Sequence, residues 1–270
     1  MKEWRKYNGS LLPGFSPDIK VDVSNIDVLI SQTKSYLAMW TTEFDRQEKS
    51  QFWHVICDQF IPLEALSRNT RSKISRAQKK CYVKQIDKNI LIKEGFECYN
   101  AAFNKYTLYF NRMSKSLYEK SLNNLEGEWN FWGVFCDNKI IGYSQNRIID
   151  DYCEYSTIKF HPKYLGIYSS YLLFFTMNEY YLNKMKFRYV NNGMRNLIHR
   201  TNIQDFLISK FGFRKAYCRL FVRYNKLVKF TLLLLYPIRF VFYPFNNRFA
   251  LKFKALFTLE NIRRSCLENE

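Results

Sequence analysis

Apolar residues recur along the chain in two rhythms, one alternating and one at three-to-four-residue spacing, and together they predict a mixed α/β fold. "FWHVICD" (52–58), "CYVKQID" (81–87), "EWNFWGVFCD" (128–137), "NKIIGYSQNRIID" (138–150) and "YCEYSTIKF" (152–160) read as strands. Asp137 with Asn138, and Asp150 with Asp151, mark tight turns that fold the last three into an antiparallel meander. The helical spacing predicts helices over 26–40, 94–110, 114–125 and 166–183. A further one ends near Lys80, where Ile74, Ala77 and Cys81 form a narrow apolar stripe among Arg68, Arg71, Arg76, Lys79 and Lys80. "FRYVNN" (187–192) is a short strand, and "FRKAYCRLFVRY" (213–224) a long one. Between them "TNIQ" (201–204) fits a capping box, opening a helix that buries Ile203, Phe206 and Leu207 and stops at Gly212.

Composition narrows the class. The 270 residues are 47% hydrophobic and 18% aromatic, enough for a dense core and contrary to disorder. A net charge of +18 attracts polyanions: nucleic acid, anionic lipid or phosphorylated ligands. Seven scattered cysteines without a C-x-x-C pair, and only three histidines, argue against a disulfide framework or a metal site and for a reducing compartment. The first residues lack the apolar core of a signal peptide, and no clean apolar run reaches the ~20 residues of a spanning helix. The expectation is a cytoplasmic protein.

The end of the chain changes character. Residues 227–245 are strongly apolar, interrupted by Pro237 and Arg239, and flanked by Lys226, Lys229, Arg248, Lys252 and Lys254. That composition fits a segment lying in the plane of an anionic membrane surface, peripheral to its inner face. It equally fits a greasy helix packed on the domain or on the partner of a homodimer.

From Cys81 the order strand, two helices, three-strand meander, helix, strand, helix, strand resembles the GNAT acyltransferase superfamily over 81–225. "FHPKYLGIY" (160–168) is similar to that superfamily's acyl-CoA loop: Lys163 stands for its Gln or Arg, Gly166 matches, and Tyr168 replaces the second small residue. "TNIQDFLISKFGF" (201–213) resembles its helix ending in Gly-Phe. The resemblance implies a mostly antiparallel central sheet flanked by helices, with acetyl-CoA or another acyl-CoA as co-substrate. It further implies a donor site at Phe160, Lys163, Gly166, Ile167, Tyr168 and Ser169. Physics supports the loop independently, because a helix start offers unpaired N–H groups and a positive dipole end to a pyrophosphate. "RSKISRAQKKCYVKQ" (71–85) resembles the Fem-type branch, whose members build peptide bridges in bacterial cell walls from aminoacyl-tRNA with two GNAT-like domains. Some eighty residues precede Cys81, too few for a full second copy, so tRNA dependence does not carry over.

Acyl transfer to an amine needs a base, an oxyanion donor and an acid for the leaving thiolate. The resemblance places the oxyanion donor on backbone N–H groups near Ile158 to Phe160. The family's usual acid, a Tyr four residues before the Gly-Phe, is Ile208 here, which leaves Tyr168, Ser169 or water for that role. Glu154, His161 and His199 are the candidate bases. The sequence thus predicts an N-terminal extension (1–80), an acyltransferase domain (81–225) and a basic, apolar, helical tail (226–270). The expected reaction is acylation of an amine, such as a lipid- or nucleotide-linked amino sugar of bacterial surface polysaccharide. A Fem-like aminoacyl transferase using tRNA, and an inactive GNAT-shaped binding protein, are the alternatives. A plain nucleic-acid-binding protein lacks any reader motif.

Overall fold

The computed structural model describes residues 4–104, 111–197 and 202–267. In chain order the elements are β1 (Trp4–Tyr7), β2 (Ser10–Pro13), α1 (Ile26–Gln32), β3 (Leu37–Arg46), β4 (Phe52–Cys57), α2 (Arg68–Gln78), β5 (Tyr82–Ile86), α3 (Lys88–Phe103) and α4 (Lys115–Asn123). Then follow β6 (Glu128–Cys136), β7 (Lys139–Ile149), β8 (Tyr152–Phe160), α5 (Ser169–Asn178), β9 (Tyr189–Met194), α6 (Ile203–Phe211), β10 (Arg214–Tyr224), α7 (Lys226–Leu235) and α8 (Arg248–Leu267). The chain forms two compact units, Val55–Gly193 with Asn202–Arg214, and Met1–His54 with Met194–Thr201 and Lys215–Glu270.

In the first unit the strand order is β9-β8-β7-β6-β5. The meander predicted from the sequence is present, with β5, β6, β7 and β8 paired antiparallel in succession. Its turns use Asp137 (φ 49°), Asn138 (φ 60°) and Asp150 (φ 49°), short polar residues that tolerate left-handed backbone. The two sheet faces carry different helices. On one, Leu91, Cys98 and Tyr99 of α3 and Tyr118 and Leu122 of α4 pack with Phe131, Phe135 and Tyr143. On the other, Phe174 of α5 meets Tyr155 of β8 and Phe206 and Phe211 of α6. Burying each such side chain contributes roughly 1.5–3 kcal/mol before entropy is charged against it.

Helix ends show where local chemistry prevailed over periodicity. α3 begins at Lys88, ahead of the expected Glu94, because Asp87 accepts the Asn89 N–H (2.7 Å) as an N-cap. The far end of that predicted helix, 105–110, lies outside the described residues. The helix predicted over 166–183 is instead a 3₁₀ turn (Pro162–Ile167), then α5, then a π-helical stretch (Glu179–Lys184). The N-cap of α6 is Asn202, which makes no side-chain cap bond, while the capping box expected from Thr201 lies outside the described residues. Gly212 ends α6 in the left-handed conformation (φ 72°), as the sequence predicts.

In the second unit β1 pairs antiparallel with β2, β2 parallel with β3, and β3 antiparallel with β10. The helix expected over 26–40 is corrected here: α1 stops at Gln32, and Leu37–Arg46 is strand. Lys34 takes φ 50°, the Ser35 N–H reaches Ile30 O (2.9 Å) and the Lys34 N–H reaches Ser31 O (3.1 Å). This is a Schellman stop built without glycine, so no sequence signal announced it. Leu37, Phe52, Cys218 and Leu220 pack with Leu259 and Ile262 of α8. Among the described residues no helix is long and apolar enough to cross a membrane.

Candidate functional site

β8 and β9 run parallel for only three residue pairs, Tyr152–Tyr189, Cys153–Val190 and Glu154–Asn191. Two local features part them. On β9 the Asn191 side chain accepts the Gly193 N–H (2.9 Å), and Gly193 takes φ 84°, a turn that deflects the strand. On β8 the register with β7 slips between Thr157 and Tyr155, so Ser156 is an extra bulged residue. Beyond these points β8 continues to Phe160 with one edge released from parallel pairing.

That edge carries donors. The His161 N–H bonds across to Ile141 O of β7 (2.8 Å). Bonded and non-bonded positions alternate in an antiparallel ladder. The N–H groups of Ile158 and Phe160 therefore point away from β7, toward the side that β9 has left. These are the positions where the sequence reading placed an oxyanion donor.

The loop after β8 has its own hydrogen bonds. His161 caps the 3₁₀ turn: its Nδ1 accepts the Lys163 N–H (3.2 Å). The Tyr164 N–H goes to His161 O and the Tyr168 N–H to Leu165 O. Buried Ser169 donates to Tyr164 O (3.5 Å). Gly166 is exposed, and a Cβ there would meet open space, so approach to this point is unobstructed from the protein side. Tyr168 sits in left-handed backbone (φ 63°) directly before α5, whose start no side chain caps. Lys163 is exposed with its ammonium over the Tyr164 ring, and Ile167 is half-buried. α2 packs against α5 beside this loop. Its Lys73 donates to the Tyr171 hydroxyl (3.1 Å) and stacks over the rings of Tyr168 and Tyr171.

On the α3–α4 side of the sheet, cross-strand pairing places Glu154 beside Arg147 and Lys159 beside Tyr143. Glu154 and Arg147 form an ion pair at 4.0 Å. Burial pushes the Lys159 ammonium below its usual range. Cys98 of α3 donates to Lys159 O (3.8 Å), and burial pushes the Cys98 thiol up to about 12. A groove of about 510 Å³ opens here, lined by Glu94, Glu97 and Asn100 of α3 with Lys93, Lys115 and Lys139. The Asn100 Oδ1 is buried and has no hydrogen-bond partner among the described residues.

The structure therefore gathers Phe160, His161, Lys163, Gly166, Ile167, Tyr168 and Ser169 around one strand end and one helix start. Glu154 stands apart, at the last pair before the strands separate, and His199 lies outside the described residues. Sequence reasoning overlooked Lys159, Lys73 and the Asn191–Gly193 turn. A lysine inside the otherwise apolar end "TIKF" was the available signal for the first. No cluster of His, Cys, Asp and Glu that could hold a metal occurs among the described residues.

No family model matches the chain, and no curated protein matches it. Among solved structures it is similar to FemX, with a TM-score of 0.54, 11% identity and 85% of each chain covered. Weaker likenesses include L-PGS from Bacillus licheniformis (TM-score 0.46, 13% identity, 86% of this chain and 83% of that one). An aminoglycoside acetyltransferase from an uncultured soil metagenomic sample aligns at TM-score 0.33 and 13% identity, over 48% of this chain and 84% of that one. The likeness to FemX takes in more of the chain than the 81–225 stretch read from sequence. The chain shares the overall fold of FemX.

Proposed function

We propose that the protein is an N-acyltransferase that moves an acyl group from acyl-CoA, acetyl-CoA first among them, to an amine. The observation that carries this reading is the separation of β8 from β9 after three pairs, beside the outward N–H groups of Ile158 and Phe160. A thioester carbonyl lying along that edge finds two fixed donors for the oxyanion, which exist before the reaction and need no rearrangement. The CoA phosphates lie at the start of α5, where Gly166 leaves room and Lys163 and Lys73 supply charge.

Lys159 is the proposed proton acceptor. Burial lowers the cost of its neutral amine, the form that takes a proton from the acceptor's ammonium. The freed amine attacks the carbonyl, the C–N bond forms and the C–S bond breaks; the Lys159 ammonium returns its proton to the departing thiolate, and the second proton of the attacking nitrogen, acidic once the C–N bond has formed, passes to the neutral Lys159 and on to solvent. Glu154 is four residues from Ile158, roughly 13 Å at strand rise, too far for direct transfer. Its pair with Arg147 suits it to positioning. His161 already uses Nδ1 as a cap acceptor and serves the loop. In the α3 groove Glu94, Glu97 and Asn100 Oδ1 accept hydrogen bonds from an ammonium and its neighbouring hydroxyls, while Lys93, Lys115 and Lys139 suit a phosphate. An amino sugar on a phosphate-bearing carrier, as in surface-polysaccharide synthesis, combines these features.

One observation favours a second donor, aminoacyl-tRNA. The amides of Lys163, Tyr164 and Tyr168 are spent inside the loop rather than offered to a pyrophosphate, and the cations of α2 lie alongside. Calorimetric titration with acetyl-CoA, for the wild type and Gly166→Trp, separates the donors. Binding by the wild type that Gly166→Trp abolishes supports acyl-CoA. Absence of CoA binding together with salt-sensitive binding of charged tRNA assigns the site to the second donor. Absence of both in folded protein overturns the enzymatic reading.

A further inference from the structure

The C-terminal helices of the second unit present an apolar surface that the unit itself does not cover. Ten large apolar side chains between Leu227 and Phe249 are 46–72% exposed, foremost Leu227, Phe230, Leu233, Phe240 and Phe249. α7 is apolar on opposite sides. Leu232, with Val228 and Leu235, packs against Phe253, Leu256 and Phe257 of α8. Leu227, Phe230 and Leu234, spaced three and four apart, share the outer side, each more than half exposed. A helix apolar all round is normally buried or in lipid. The patch is also far more contiguous than the scattered exposed side chains of an ordinary surface.

Charge identifies what covers it. From Lys226 to Leu259 the chain carries six cations (Lys226, Lys229, Arg239, Arg248, Lys252 and Lys254) and no Asp or Glu. A second copy meeting this face would set those like charges against one another. A bilayer with anionic headgroups neutralises them while accepting the aromatic and leucine side chains. The geometry permits lying on a membrane and forbids crossing it: the ten residues of α7 rise about 15 Å, half the hydrocarbon thickness. The helix then breaks at Pro237, and Arg239 stacks on the Tyr236 ring. We propose that the face formed by α7, the segment to Phe249 and the start of α8 docks in the plane of an anionic lipid bilayer, its apolar side chains seated among the acyl chains and its lysines and arginines at the headgroups.

Flotation with vesicles of phosphatidylcholine, and of an equimolar mixture with phosphatidylglycerol, tests this on the full chain. The wild type is expected to float with the anionic vesicles. A Leu227→Ser, Phe230→Ser, Leu234→Ser variant is expected to lose at least about tenfold in partitioning. Because those side chains are exposed, the variant keeps the wild-type melting temperature, which serves as the folding control. A Lys226→Glu, Lys229→Glu variant is expected to float less with anionic vesicles only. Wild type left behind in both mixtures overturns the proposal. So does equal flotation of wild type and the serine variant, which would mean that the overall +18 charge binds without the apolar face. A dimer in solution that the serine variant converts to monomer would assign the face to a second copy and overturn it as well.

Discussion

Burial at the end of β8 lowers the pKa of Lys159 in the folded protein, and two measurable effects follow from that one fact. The native state disfavours the ammonium, so between the folded pKa and the ordinary lysine value the unfolded chain holds more protons and stability rises with pH. Lys159→Met removes the penalty. The variant is expected to be more stable than wild type by about 1 kcal/mol at neutral pH. The gap should close as pH rises from the folded pKa to the ordinary lysine value, as read by denaturant titration. Its kcat is expected to fall about a hundredfold or more if Lys159 handles the proton. A lysine with a purely structural role would leave kcat unchanged. At this scale the sequence offered a strand end and a loop, Phe160 to Ser169, and no sign of how their hydrogen bonds are used. Gly166 lies exposed in the loop after β8, and Ile158 and Phe160 lie at the end of that strand. His161 serves as a cap for the loop, and the half-buried lysine one residue before Phe160 carried no sequence signal of its surroundings, because lysines are ordinarily solvated.

Among the elements, the legible ones had strong local signals. The meander turns carry Asp and Asn at left-handed positions, α4 has Ser114 as its cap, and α6 ends at Gly212. The stop of α1 was illegible because Lys34 occupies the left-handed position that glycine usually marks. That position carries its own test: Lys34→Gly is expected to stabilise the fold by roughly 1 kcal/mol, since it relieves the Cβ strain of φ 50° at an exposed site. A loss of stability in chemical denaturation would contradict the account of how α1 ends. The parting of β8 and β9 was also hidden. Its cause is a side-chain-to-backbone bond at Asn191 and an unpaired Ser156, neither of which disturbs the apolar alternation that a sequence displays.

For the whole molecule, the long-range pairings escaped sequence reading while the local order did not. β3 joins β10 across nearly two hundred residues, Leu37 opposite Tyr224, and nothing in either stretch names the other. The N-terminal stretch was therefore legible only as scattered loop, helix and strand fragments, although β1, β2 and β3 are strands of a common sheet. On donor chemistry the sequence offers a loop position and no yes or no, because whether amides are free or spent is a matter of three-dimensional hydrogen bonding. Hydrogen exchange followed by mass spectrometry, with and without saturating acetyl-CoA, reads that question on the edge itself. Slowed exchange confined to the amides of 158–160 and 166–170 is the predicted result. Acetyl-CoA that binds while those amides exchange at their free rate, with protection elsewhere, would contradict the placement of the donor between β8 and β9.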